Sequence, residues 1–254
     1  MLESYLDESF TTEDVFPRVM VIAGWFGEGS VWRTVEVQWR DALRNVRPRT
    51  LKEFKTGDSY QGAGEQDGWG PRKRDKLRAK LTNILLSADI RGVVSALVVE
   101  GPLPKRADYH VAIQYCMEGL VVRQAFRYPV GKRVTFVIDQ KDKVKNEVEA
   151  TRIWLQKDGH RSMGRRIGSA VFDDSRIILP LQAADLLAYE PLQEVKSWDT
   201  RARFPFRSDR HYEDLRAKVY GFLVHQWNGR RFLRYHFKTR RWFPTGSRPT
   251  KVYQ

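Results

Sequence analysis

The chain has 254 residues, 41% of them hydrophobic, with 45 Lys and Arg against 31 Asp and Glu for a formal charge of +14. That length and apolar content can supply one large domain with a real core, and the single cysteine, Cys116, excludes an intrachain disulfide and any cysteine-based zinc site. No segment offers about 18 uninterrupted apolar residues and the opening is not leader-like, so we expect a cytoplasmic protein with no membrane span.

Residues 3–10 and 18–26 read as two antiparallel strands around the polar turn Thr11-Thr12-Glu13-Asp14. Val31, Val35, Trp39, Ala42 and Val46 recur at spacings of three or four, which predicts a helix over 31–46. Residues 47–71 are rich in Gly and polar residues and read as a long loop around a short stretch at 51–55; a loop of that length in a compact domain is usually functional or mobile. A basic helix follows from Pro71 to about Ser87, with Pro71 in its first turn and Leu77, Leu81, Ile84 and Leu85 turned inward. A buried strand at 90–99, a helix at 105–126, a strand at 132–138 and a helix at 144–157 come next. Residues 167–172 and 176–179 read as short extended pieces, and Pro180 opens another helix. Residues 209–226 read as one more helix, and 229–243 alternates basic and aromatic residues as a hairpin or arm. Strands alternating with helices predict the α/β class.

Three acids stand against apolar sequence: Asp7 in 4–9, Asp139 at the end of Val134-Thr135-Phe136-Val137-Ile138-Asp139, and Asp185 within 181–188. A carboxylate in or beside a core is costly unless a cation compensates it, and three of them suggest a shared compensating charge. A pair of divalent metal ions is the economical candidate. Such ions sit about 3.5–4 Å apart between carboxylates, and hard ions such as Mg2+ or Mn2+ take oxygen rather than nitrogen or sulfur ligands. Asp139 falls at a strand end, where open α/β sheets place ligand sites. Asp185 shares a helix with Leu181, Ala184 and Ala188, and Gln182 lies one turn earlier on a similar face. Each acid alone also reads as a cap, a turn residue or a helix carboxylate bonded locally; the set is what points to metal.

The segments Tyr5-Leu6-Asp7-Glu8-Ser9, Phe136-Val137-Ile138-Asp139 and Leu181-Gln182-Ala183-Ala184-Asp185-Leu186-Leu187-Ala188 resemble the three signatures of the bacterial and phage family called domain of unknown function 3800, of the ribonuclease H-like superfamily. The resemblance covers residues 3–190. It implies a ribonuclease H-like mixed sheet flanked by helices, with Asp7, Asp139 and Asp185 as catalytic metal ligands. Glu53, in Lys52-Glu53-Phe54-Lys55, matches a Glu-Phe-His-like element of the family and is a further catalytic candidate, although Lys55 stands where His is expected. Glu8 is a metal ligand only if its strand ends or bulges there, since alternate residues of a strand point to opposite faces. The fourth ligand stays open among Glu53, Glu8 and Asp142. Glu53-Phe54-Lys55 also fits half of a restriction-type nuclease site, but no Pro-Asp partner precedes it on a hairpin.

The five histidines are scattered, no Gly-x-Ser-x-Gly turn or Walker-type loop is present, Gly62-Ala63-Gly64 reads as a flexible loop, and Cys116 reads as core. Ten Lys and Arg, with no Asp or Glu, lie between Leu215 and Gln254. A basic field of this kind attracts phosphate backbones, and aromatic faces among the cations suit stacked bases. The candidate nucleic-acid contacts are Lys141, Arg165, Arg166, Arg230, Arg231, Arg234, Lys238, Arg240 and Arg241; the aromatics between the last of these equally fit the packed face of a hairpin. The sequence therefore predicts a ribonuclease H-like catalytic domain at 1–195 and a basic, aromatic-rich extension at 196–254 packed on or next to it. The expected activity is Mg2+- or Mn2+-dependent hydrolysis of DNA or RNA. The alternative is a nucleic-acid-binding or ribonucleoprotein-associated protein that keeps the fold without turnover. Protein or ribonucleoprotein partners are compatible with either, and the oligomeric state is left open.

Overall fold

A computed structural model describes residues 1–11, 18–46, 50–100, 107–125, 128, 131–139, 145–157, 164–196, 215, 218–227, 232–236 and 241–244. Strand β1 (Leu2–Phe10) pairs antiparallel with β2 (Arg18–Glu28), helix α1 (Gly29–Arg44) follows, and α2 (Thr56–Gln61) and α3 (Pro71–Ser87) precede β3 (Arg91–Val99). Next come α4 (Ala107–Ala125), β4 (Val134–Asp139), α5 (Lys145–Lys157), β5 (Ile167–Asp173) and α6 (Leu179–Lys196), then β6 (Val219–Trp227), β7 (Phe232–His236) and β8 (Arg241–Pro244).

All eight described strands form one sheet in the order β5-β4-β1-β2-β3-β6-β7-β8. β1 and β4 are parallel, as are β4 and β5, while β2 runs against both β1 and β3. The first five strands thus form a mixed sheet, the α/β architecture that the sequence predicts. The C-terminal strands lengthen the same sheet, with β6 parallel to β3 and β7 and β8 following as antiparallel neighbours.

Strand alternation divides the core in two. Tyr5, Val21, Ala23, Trp25, Val94 and Ala96 face one layer, formed by α1, α3 and α6 through residues such as Trp39, Leu81 and Leu187. Leu2, Leu6, Ile22, Phe26, Val93 and Ile138 face the other, formed by α4 and α5 through residues such as Met117, Leu120 and Val148. The apolar runs predicted as strands are apolar on both sides because helices cover both faces of the sheet.

Three expectations are corrected. The loop at 47–71 contains α2 and a 3-10 turn, Gly64–Gln66. Helix α2 ends at Gly62, whose φ of 72° is the left-handed conformation that glycine adopts without strain, and whose N–H donates to the Asp58 carbonyl at 2.7 Å. Residues 176–179 are not a strand: Arg176 donates its N–H to Asp174 Oδ1 at 2.8 Å, which curls the chain into a turn before α6 starts at Leu179. Of the helix expected at 209–226, the part from Val219 lies instead in β6, whose aromatic and β-branched content suits a strand beside β3, while residues 209–214, 216 and 217 lie outside the described residues. The basic and aromatic segment includes β7 and β8, which form an antiparallel hairpin. Among the described residues no helix is long and apolar enough to cross a membrane.

Cys116 lies on α4 with 0% exposure, and burial pushes its thiol pKa up. The folded protein should therefore resist thiol reagents and react with one equivalent of Ellman's reagent only in denaturant. Rapid native labelling would contradict this core.

Candidate active site

In β1 the odd-numbered side chains from Tyr5 onward face the α6 layer, and Asp7 continues that series. In β4 the same face carries Val137 and then Asp139. The parallel pairing of β1 and β4 matches Tyr5 with Val137 and Leu6 with Ile138, so the next positions in register are Asp7, three residues before the end of β1, and Asp139, the last residue of β4. They are only 3% and 7% exposed. Asp7 Oδ1 accepts the Glu8 N–H at 2.8 Å, and Asp139 Oδ1 accepts the Ser175 N–H at 3.2 Å. Asp173, opposite Asp139 in the β4–β5 register, adds a carboxylate on the same face.

Helix α6 brings the third acid. Its apolar face packs on β1 and β2, and the Trp25 indole N–H donates to the Ala183 carbonyl at 2.9 Å. Gln182, fully buried, ties three other segments to the helix. Its Oε1 accepts the Trp39 indole N–H and the Phe54 backbone N–H, each at 3.0 Å, and its Nε2 donates to the Ser175 carbonyl at 2.8 Å. One amide thereby fixes α1, the 51–55 segment and the turn after β5. Just beyond it, Asp185 Oδ2 accepts the Thr56 N–H at 2.7 Å.

The fixed segments place Glu53, Lys55 and Ser175 together. Ser175 Oγ donates to Glu53 Oε1 at 2.8 Å, and the Lys55 ammonium lies 3.1 Å from both Glu53 Oε1 and Ser175 Oγ. Burial alone would depress the Lys55 pKa, but the charges of Glu53, Asp185 and Asp7 and the hydrogen bond to Glu53 outweigh it and hold the pKa above the ordinary lysine value. Beside this group, Asp174 is held down to about 2 by hydrogen bonds from the Arg176 side chain and backbone. The Tyr189 phenol, on α6, is raised by burial and then by the charges of Glu190 and Asp185. Stacking of Tyr189 on Tyr60 at 5.3 Å, with the Arg78 guanidinium 4.0 Å above the Tyr60 ring, braces α2 against α6.

Asp7, Asp139, Asp185 and Glu53 thus border one network at one end of the sheet. Among the described residues, no three carboxylates, imidazoles or thiols stand close enough together to hold one ion. Glu8 is not part of the network: β1 runs unbroken to Phe10, and Glu8 belongs to the face of Leu6 and Ile22, across the sheet from Asp7. Arg166 is also turned away from the role expected of it, because it is 4% exposed and donates to the Tyr128 carbonyl at 3.0 Å. Arg165 is exposed. Arg234 and Arg241 sit on β7 and β8, with side chains outside the described residues, where Lys141, Asp142, Arg230, Arg231, Lys238 and Arg240 also lie.

Sequence reasoning missed Asp173 and Ser175 and treated Gln182 only as a neighbour of Asp185. The available signal for Gln182 was a lone amide on an otherwise apolar helix face, which must find partners when buried.

No family model and no curated protein matches the chain. Among solved structures it is similar to a Bst ribonuclease HIII in complex with Mn2+, at 11% identity and a TM-score of 0.40, over 75% of this chain and 52% of that one. The chain spans about half the length of that protein.

Replacing Gln182 by Leu strands the buried Trp39 and Phe54 N–H groups. At about 1–3 kcal/mol for each unsatisfied donor, Gln182→Leu should lower unfolding stability by about 2–6 kcal/mol and speed hydrogen exchange at the Phe54 amide. A urea midpoint and exchange rates unchanged from wild type would show that this amide does not hold the site.

Proposed function

We propose that this chain is a divalent-metal-dependent nuclease that hydrolyses phosphodiester bonds in DNA or RNA. The observation that carries the reading is that Asp7 on β1 and Asp139 at the end of the parallel β4 follow each other in register on the face covered by the helix that bears Asp185. The resemblance of the three segments to the domain of unknown function 3800 family supports the same assignment.

The donor chemistry fits a hard cation, since the candidate ligands are all carboxylates. Asp7, Asp139 and Asp185 would hold Mg2+ or Mn2+, with Glu53 as the fourth carboxylate. Such ions supply an activated water and a stabilised leaving oxygen when bound. The chain's own groups set the geometry: the Ser175 N–H orients Asp139, the Thr56 N–H orients Asp185, and Gln182 fixes the segments that carry both donors. In this reading residues 1–195 act as the catalytic unit and 196–254 as a basic extension. Arg165, Arg234 and Arg241, with Lys141, Arg230, Arg231, Lys238 and Arg240, contact the phosphate backbone, so binding weakens as salt rises.

One observation favours a second reading, a nucleic-acid-binding protein that retains the fold without turnover: no three ligand-type side chains among the described residues close on a common point. Cleavage of labelled DNA, RNA and hybrid substrates with and without Mg2+ or Mn2+ separates the two. Outer-shell partners of a metal ligand are commonly worth about 10–100-fold, so loss of a ligand should cost more than about a hundredfold. Asp7→Asn and Asp185→Asn should each lose metal-dependent cleavage to at least that extent while keeping the wild-type fold by circular dichroism. Full activity in both variants would end the assignment.

A further inference from the structure

We infer that Lys55 is the resident counter-cation of the carboxylate site and that a divalent metal ion must displace it in order to bind. This rests on the metal-site reading above and adds to it a competitor built into the chain.

The geometry gives Lys55 contact with the network at two points, Glu53 Oε1 and Ser175 Oγ, each 3.1 Å from its ammonium. Ser175 passes the connection to Asp139 through its own N–H, and the neighbouring Thr56 N–H holds Asp185. The charges of Asp185 and Asp7 also reach the ammonium. One cation therefore serves carboxylates contributed by β1, the 51–55 segment and α6, and through Ser175 the one at the end of β4. Arg176, a nearby cation, is bound to Asp174, and its charge extends to Glu53 and Asp139.

Two nearly buried carboxylates in the group raise the demand for positive charge. A lysine suits a displaceable plug. Its stem is long and flexible, its head is a strongly hydrated point charge, and the side chain is 38% exposed, so the ammonium has a path to water. Release of Lys55 removes one of the two contacts on Glu53 Oε1 and leaves the Ser175 hydroxyl as the other.

The test is calorimetric titration of Mn2+ into wild type, Lys55→Met and Lys55→Arg without nucleic acid. A cation within about 4–6 Å shifts carboxylate equilibria by about one to three pK units, so its removal should tighten Mn2+ binding by about tenfold or more in Lys55→Met. The apo Lys55→Met protein should also melt at a lower temperature than wild type and recover on addition of Mn2+, whereas Lys55→Arg, which keeps the charge, should bind Mn2+ no more tightly than wild type. Equal or weaker Mn2+ affinity in Lys55→Met would overturn the inference and leave the metal-site reading standing. No Mn2+ binding by any of the three would overturn both. Should Lys55→Met not fold, lysine side-chain NMR of the wild-type protein decides: the Lys55 resonance should shift on Mg2+ titration, and a resonance unmoved by excess Mg2+ would overturn the inference.

Discussion

Two carboxylates, Asp7 on β1 and Asp139 at the end of the parallel β4, stand at neighbouring register positions with almost no access to water. Leaving a carboxylate in such a place without compensation costs several kcal/mol, so the surrounding structure has to supply hydrogen bonds and positive charge. The Glu8 and Ser175 N–H groups supply the first, and Lys55 supplies part of the second. Since none of these donors is adjacent to both acids in sequence, the fold must carry distant segments to one end of the sheet. The buried amide of Gln182 holds two of those segments in place, and two tryptophan indoles fix the helix from which it reaches them.

The sheet explains why the site forms at this end. The parallel pairing of β1 and β4 points both strands the same way, and their shared register puts the two acids level. The antiparallel β2, packed between β1 and β3, gives α6 an apolar floor of Ala23, Trp25 and Val21 on which to lie. Asp185 is therefore positioned by hydrophobic packing along one helix face, and Thr56 then fixes its orientation with a single hydrogen bond. The continuation of the sheet through β6, β7 and β8 adds strands beyond β3, on the side of the sheet away from β4 and β5.

Much of this was legible in the sequence for identifiable reasons. Asp139 closes the largely apolar β4 and Asp7 follows Tyr5 and Leu6 in β1, so both acids stood out, and strand parity already separated Glu8 from Asp7. Asp185 stood out in the same way within an apolar helix. What escaped notice depends on tertiary contact. Helix α2, Thr-Gly-Asp-Ser-Tyr-Gln, has no apolar periodicity and is held by Tyr60 stacking on Tyr189 and by Arg78. β6 reads equally well as a helix until β3 offers it a partner. Ser175 is a small polar residue in a turn, and only the proximity of Glu53, Lys55 and Asp139 gives it significance. Arg166 was misread because sequence shows the charge of an arginine but not the backbone carbonyl it is buried against.

The convergence of three acids from β1, β4 and α6 is the claim everything else serves. The most direct measurement is a crystal soaked in MnCl2, with anomalous scattering recorded to locate the metal. The account predicts density beside Asp7 of β1 and the carboxyl end of β4, with oxygens of Asp7, Asp139 and Asp185 within about 2.0–2.6 Å, the range of hard-cation ligands. Strong manganese density elsewhere, with these three side chains uninvolved at saturating concentration, would contradict it.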